Sequence, residues 1–366
     1  MYSRHMFPAL VLASALLAPL SPGEHAVGFR MVVETDMQRP ALAPATGLGR
    51  QLPIAIWYPA EAGASQPLRL RDYVVMGAQA LVGVEPSDRR APVDTFAADA
   101  LARGIAREDV ERLLNTAGIA VRGARAAAGR FPLLLFAHAS VETESVMCEY
   151  LASYGYVVAA VRSRGASDPV YSLSRENLDA VVADHDFVAA RMLQEPNVAS
   201  SPIGIIGMSN GAIVAMALQL RRPVGAIVSL DGGIGENAGG TYLRERSGGN
   251  VAALHAPLLH FYAPNNPHLN LDHLRSYDNS SRTLVFVRNM RHADFLSYPS
   301  FEQVLPGFSG PDVAADAHEG FVWVSRYTLH FLDAHLRNSK HGARFVARAA
   351  DAQGMPRGLM TIERLQ

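Results

Sequence analysis

Ile203-Gly204-Ile205-Ile206-Gly207-Met208-Ser209-Asn210-Gly211-Ala212-Ile213-Val214-Ala215-Met216 changes period halfway along. Its first four residues make a short apolar run of the kind a buried strand carries. From Ile213 the apolar residues recur at Met216, Ala217 and Leu220, which is helical spacing. Ser209 sits where the two patterns meet, between Gly207 and Gly211. A serine on a tight strand-to-helix turn needs small neighbours, because the backbone there is crowded and strained. The two glycines supply that room and leave the hydroxyl raised above the sheet. A helix starting at Asn210 also points its free N–H groups at the serine, where they can hold developing negative charge. G-x-S-x-G alone occurs often by chance; the strand before and the helix after give it weight.

The same style of strand recurs on both sides of this turn. Phe131–Phe136 and Tyr156–Val161 precede it, and Gly225–Leu230, Pro257–Tyr262 and Thr283–Val287 follow. Between the second and third of these runs lies a helical stripe of Leu178, Val181, Val182, Phe187, Val188 and Met192. Strands alternating with helices predict an α/β chain with a mostly parallel central sheet covered on both faces. Gly28–Val33 and Leu52–Tyr58 read as an opening hairpin. One domain is expected over 27–366, with an Ala-rich insertion at 68–130 between the second and third strands. That insertion looks helical around Thr95–Arg103 and Arg107–Leu114. It reads either as a cap over one end of the sheet or as a packed surface excursion. The tail Arg337–Gln366 has no assignment.

The chain has 366 residues, 49% of them hydrophobic and only 18% charged, which suits a sheet buried on both faces. Its formal net charge of −1, with both signs interspersed, argues against a nucleic-acid partner. Cys148 is the one cysteine, so an intramolecular disulfide and a cysteine-cluster zinc site are excluded. It reads as a small buried apolar residue. Arg4 followed by the apolar run Phe7–Leu20 reads as an export signal at residues 1–26, cut between Pro19 and Val27. The run is too short, and too broken by Pro8 and Pro19, for a transmembrane anchor. A periplasmic or secreted location is expected.

A neutral serine is a poor nucleophile, so it needs a histidine to take its proton and an acid to orient that histidine. On an elbow of this kind the order along the chain is serine, acid, histidine. Nine histidines follow Ser209. His292 comes just after the last strand candidate, where a loop would bring it over the elbow. His260 lies inside an apolar strand and His330 and His335 on a C-terminal helix; His268 and His273 are weaker loop rivals. Asp231 ends the strand after the nucleophile's and is the preferred acid, with Asp272 as the alternative. Asp294 reads as a loop-stabilising residue. The turn Ala137-His138-Ala139-Ser140 is expected to supply one oxyanion N–H, best from Ser140, to join that of Asn210, with His138 structural. No H-E-x-x-H or carboxylate cluster with ligand spacing is present, so neither metal nor cofactor is expected.

Taken together, these segments resemble the platelet-activating-factor acetylhydrolase and dienelactone-hydrolase-like group of α/β-hydrolases. The resemblance is carried by Gly28–Arg30, Leu52–Pro59, Phe136–Ser140, the elbow at Ser209, Ser229-Leu230-Asp231 and His292–Phe295. It runs from Gly28 to about Leu336. It implies the α/β-hydrolase fold and a triad of Ser209, Asp231 and His292 with Ser140 and Asn210 as oxyanion donors. It further implies calcium-independent hydrolysis of short acyl esters. Where that group has His-Gly in the turn, this chain has His138-Ala139, and alanine resists a positive φ. Two alternatives stay open: acyl transfer to an alcohol or amine by the same triad, and an inactive binding protein on this fold. The expected partner is a small-molecule or lipid ester.

Overall fold

The computed structural model describes residues 14–42, 49–82, 88–137, 140–168, 171–200, 202–349 and 351–365. The strands are β1 (Ala26–Asp36), β2 (Arg50–Ala60), β3 (Ala120–Arg122), β4 (Leu133–Ala137), β5 (Val157–Val161), β6 (Ile203–Met208), β7 (Val224–Leu230), β8 (Leu258–Tyr262), β9 (Arg282–Val287) and β10 (Met360–Leu365). They form one ten-stranded sheet in the order β10-β9-β8-β7-β6-β4-β5-β2-β1-β3. The block from β5 through β9 is parallel throughout. β1 and β2 pair antiparallel from Ala26↔Ala60 to Asp36↔Arg50, the hairpin that the sequence announces.

The helices are α1 (Leu70–Val82), α2 (Arg90–Ala102), α3 (Arg107–Leu114), α4 (Val141–Ser153), α5 (Arg175–Met192), α6 (Gly211–Leu218), α7 (Asn237–Arg246), α8 (Asp272–Arg275), α9 (Tyr298–Val304), α10 (Ala317–Leu336) and α11 (Lys340–Ala347). Successive strand side chains face opposite ways, which sorts the core into two layers. Leu134, Phe136, Val158, Ile206 and Val228 share one face with Met147 and Leu151 of α4 and Phe321, Val324 and Phe331 of α10. Leu133, Leu135, Val157, Ile205 and Ile227 share the other with Val181 and Val188 of α5 and Ile213 and Met216 of α6. Burying a side chain such as Phe136 contributes roughly 1.5–3 kcal/mol. Strands covered on both sides therefore read as continuous apolar runs.

The segment 68–130 supplies a strand of the sheet as well as helices. β3 lies within it and pairs parallel to β1, Val27↔Ala120 to Phe29↔Arg122, as the terminal strand. The segment is also bolted to α4 by Glu149, which is 1% exposed. That carboxyl accepts the Tyr73 hydroxyl at 2.6 Å and the N–H groups of Ile119 and Ala120 at 2.8 and 3.3 Å. Gly118 is required there, since a Cβ would overlap the Glu149 carboxyl. Burial raises the Glu149 pKa to about 7.

At the start of the described chain, Leu16, Leu17 and Leu20 are buried in the first layer. Ser14 donates to the carbonyl of Ala117 at 2.7 Å, and the Gly23 N–H donates to Ser153 Oγ at 2.8 Å. Residues 1–13, half of the expected signal, lie outside the described residues. Among the described residues no helix is long and apolar enough to cross a membrane.

Candidate active site

The C-terminal ends of β6 and β7 are neighbours in register, Met208↔Leu230, so Ser209 and Asp231 leave the sheet side by side. Both adopt left-handed backbone, with φ of 53° and 42°. Non-glycine residues in that region carry strain and persist only where the surroundings hold them. The holding bonds are visible. Ser209 N–H donates to Leu230 O at 3.1 Å, Gly233 N–H to Ser209 O at 3.0 Å, and Asp231 N–H to Phe261 O at 2.9 Å. Gly207 is obligatory because α6 starts so close: a Cβ there would lie 2.5 Å from the Ala212 backbone.

Asp231 is 4% exposed, and each of its oxygens has a partner. Oδ1 accepts the Ala263 N–H at 2.9 Å, and Oδ2 lies 2.6 Å from His292 Nδ1. A carboxylate only accepts, so this bond places the imidazole proton on Nδ1 and leaves the Nε2 lone pair free. The imidazole itself is exposed, at 54% of the side chain.

His292 opens a short 3-10 turn, His292–Phe295, after β9. The turn is clamped from both ends. Asp294 is fully buried, accepts the Arg291 N–H at 2.7 Å and pairs with the Arg291 guanidinium at 2.8 Å. Beyond the turn, Ser297 N–H donates to Thr143 O at 2.7 Å, tying the histidine's loop to the start of α4. Asp294 is thus the loop-stabilising residue expected of it.

The rival residues fall away for physical reasons. Asp272 is 85% exposed on its side chain and pairs with Arg275 at 3.4 Å, so it is not the partner of His292. His260 is wholly buried, with Nδ1 2.8 Å from Ser229 Oγ, and burial pulls its pKa down to about 4. His273 is turned to the carbonyl of Ile234, and His268 lies on an exposed loop. Burial likewise lowers the pKa of His330, to about 4, and of His335. Cys148 is buried, and burial pushes its thiol pKa well up.

Ser140 is the N-cap of α4 and Asn210, in the elbow itself, that of α6. Ser140 N–H lies 3.3 Å from Thr143 Oγ1, a long bond within a capping box, and its hydroxyl donates to Glu142 Oε1 at 2.6 Å. His138 and Ala139 lie outside the described residues. Sequence reasoning missed the pocket beside His292, which α2 builds with Thr95, Phe96 and Ala100. No motif marks those positions in an Ala-rich helix.

A strained serine at a strand-to-helix turn, one strand away from an Asp–His pair at the C-terminal edge of a parallel sheet, is an arrangement of the α/β-hydrolase fold. Residues 118–201 match the family described as platelet-activating factor acetylhydrolase, isoform II, a match that spans β3 to α5 and ends before Ser209. A ferulic acid esterase from Streptomyces cinnamoneus shares the fold, with a TM-score of 0.62 at 20% identity, over 96% of this chain and 98% of that one. No curated protein matches the sequence.

Proposed function

We propose that this protein hydrolyses carboxylic esters through an acyl-enzyme on Ser209. The observation that carries the reading is the 2.6 Å bond from His292 Nδ1 to buried Asp231, one strand away from a serine held at φ 53°. The family match at 118–201 and the esterase with the same fold support the same class of chemistry. The chain is a carboxylic ester hydrolase, and its acyl groups are short to medium.

Ser209 Oγ attacks the ester carbonyl carbon while His292 Nε2 takes its proton; Asp231 stabilises the imidazolium that forms. The tetrahedral oxyanion is held by the N–H groups of Asn210 and Ser140, the latter exchanging its long bond to Thr143 for a stronger one to the charged oxygen. Each such donor is worth about 3–4 kcal/mol in the transition state. The C–O bond then breaks and His292 returns its proton to the departing alkoxide. Water, activated by the same histidine, attacks the acyl-enzyme and frees Ser209 with release of the acid.

The chain is exported through its N-terminal leader. Cleavage between Pro19 and Val27 would remove Leu16 and Leu17, and past position 20 also Leu20, from the core they enter here, so intact mass of the exported protein tests that cut. The hydrolase reading is tested with p-nitrophenyl esters of increasing acyl length. Wild type turns over the short members fastest and Ser209→Ala none of them above background; equal turnover by both proteins contradicts the assignment.

A further inference from the structure

The pocket missed by sequence reasoning adjoins the catalytic imidazole, and the mechanism says which part of a substrate passes there. The departing alkoxide takes its proton from His292 Nε2, so the alcohol side of the ester leaves past the imidazole and the acyl side stays on Ser209. We propose that the pocket beside His292 receives the alcohol group of the ester and selects an uncharged alcohol bearing a ring. This rests on the hydrolase reading.

The pocket holds about 460 Å³, within the range of small-molecule sites. Its lining includes Thr95, Phe96 and Ala100 of α2 together with His292, Tyr298 and Phe308. Their rings belong to one aromatic cluster. Phe96 and Phe308 lie 5.3 Å apart at 33°, both edge-on to Phe301 at 6.0 and 6.1 Å. Tyr298 meets Phe301 edge-on at 5.9 Å. Phe301 is fully buried behind the others, so the front rings have a fixed backing against which another ring can pack.

The charges around the pocket are already engaged or balanced. Arg103 donates to the Phe308 carbonyl, and Arg291 donates to Ser309 O at 3.1 Å while pairing with Asp294 at 2.8 Å. Both guanidiniums therefore brace the turn that carries Phe308. Asp99 stands one helical turn before Arg103, so α2 brings one charge of each sign to the rim. A neutral group suits such a rim better than an ion. In this way the segment 68–130 enters the chemistry: its α2 shapes the side of the site where the product alcohol departs.

Two ester series separate the alcohol side from the acyl side. The alcohol series is ethyl, cyclohexyl, phenyl and 1-naphthyl acetate; the acyl series is p-nitrophenyl acetate, butanoate and hexanoate. Thr95 is exposed, so Thr95→Trp fills the pocket from its rim without entering the core. It is expected to lower the kcat/KM ratio of naphthyl to ethyl acetate roughly tenfold, with the hexanoate-to-acetate ratio unmoved. Phe96→Leu keeps bulk but removes a ring, and lowers the phenyl-to-cyclohexyl ratio roughly threefold. Variants that move the acyl series instead, or neither series, overturn the assignment. A wild-type protein that turns over no ester overturns the hydrolase reading itself. Failure of this inference alone looks different, because wild type is then active and Ser209→Ala is not.

Discussion

Asp231 and Asp184 are both buried at the same edge of the sheet, 4% and 1% exposed, yet they hold different things. Asp184 on α5 takes the Arg50 guanidinium on both oxygens at 2.6 and 2.7 Å, and Arg50 is itself only 2% exposed. The remaining Arg50 donors go to the carbonyls of Gly165 and Ala166 at 3.0 and 3.1 Å. Both members of that pair are buried, and it fastens the end of β2 to α5. Asp231 instead holds a half-exposed imidazole and sits in strained backbone. A buried carboxylate with a buried cation is structure. A buried carboxylate with a half-exposed imidazole partner is what the proposed mechanism requires.

The contrast can be broken at either end. Asp231→Asn keeps the shape but favours the wrong tautomer of His292, and kcat is expected to fall about 10⁴-fold with the unfolding midpoint little changed. Asp184→Ala does the reverse. It takes the carboxylate from buried Arg50 and from Arg39 alike and costs about 3–5 kcal/mol of stability in urea titrations, while the folded fraction retains its turnover.

Glu144 sharpens the rule with a third outcome. It is 3% exposed near Glu142, and burial foremost raises its pKa to about 8, Arg162 offsetting part of the effect. A raised carboxyl pKa means the folded state binds the proton more tightly than the unfolded one. Stability is then highest below the unfolded value of 4.5 and declines as pH rises through about 8. Glu144→Gln is expected to flatten that decline by roughly 1–3 kcal/mol between pH 5 and 8, read from urea midpoints at the two pH values. Asp272→Asn, on the exposed runner-up acid, should change stability by no more than about 0.5 kcal/mol and leave turnover intact.

The parallel strands and the elbow were legible because burial on both faces writes unbroken apolar runs, and because the glycines around Ser209 answer a steric need visible at Gly207. Asp231 and His292 are expected from their places at strand ends, with Asp272 left as the alternative acid. β3 was not legible: Ala120-Val121-Arg122 is three residues long and finds its place only through β1. β10 escaped for a similar reason, since Met360–Leu365 is an edge strand with one neighbour and a mixed pattern. α1 was missed as well, although its Tyr73 reaches Glu149 far along the chain. The pocket at His292 joins α2 to residues some two hundred positions later, and no local pattern encodes such a meeting.

The most direct test of the account is labelling with a fluorophosphonate, which reacts with serines activated by a neighbouring base, followed by mapping of the modified peptide. The account predicts a single adduct on Ser209 that is absent in Ser209→Ala. Folded wild-type protein that takes no label, or takes it on another residue, would contradict it.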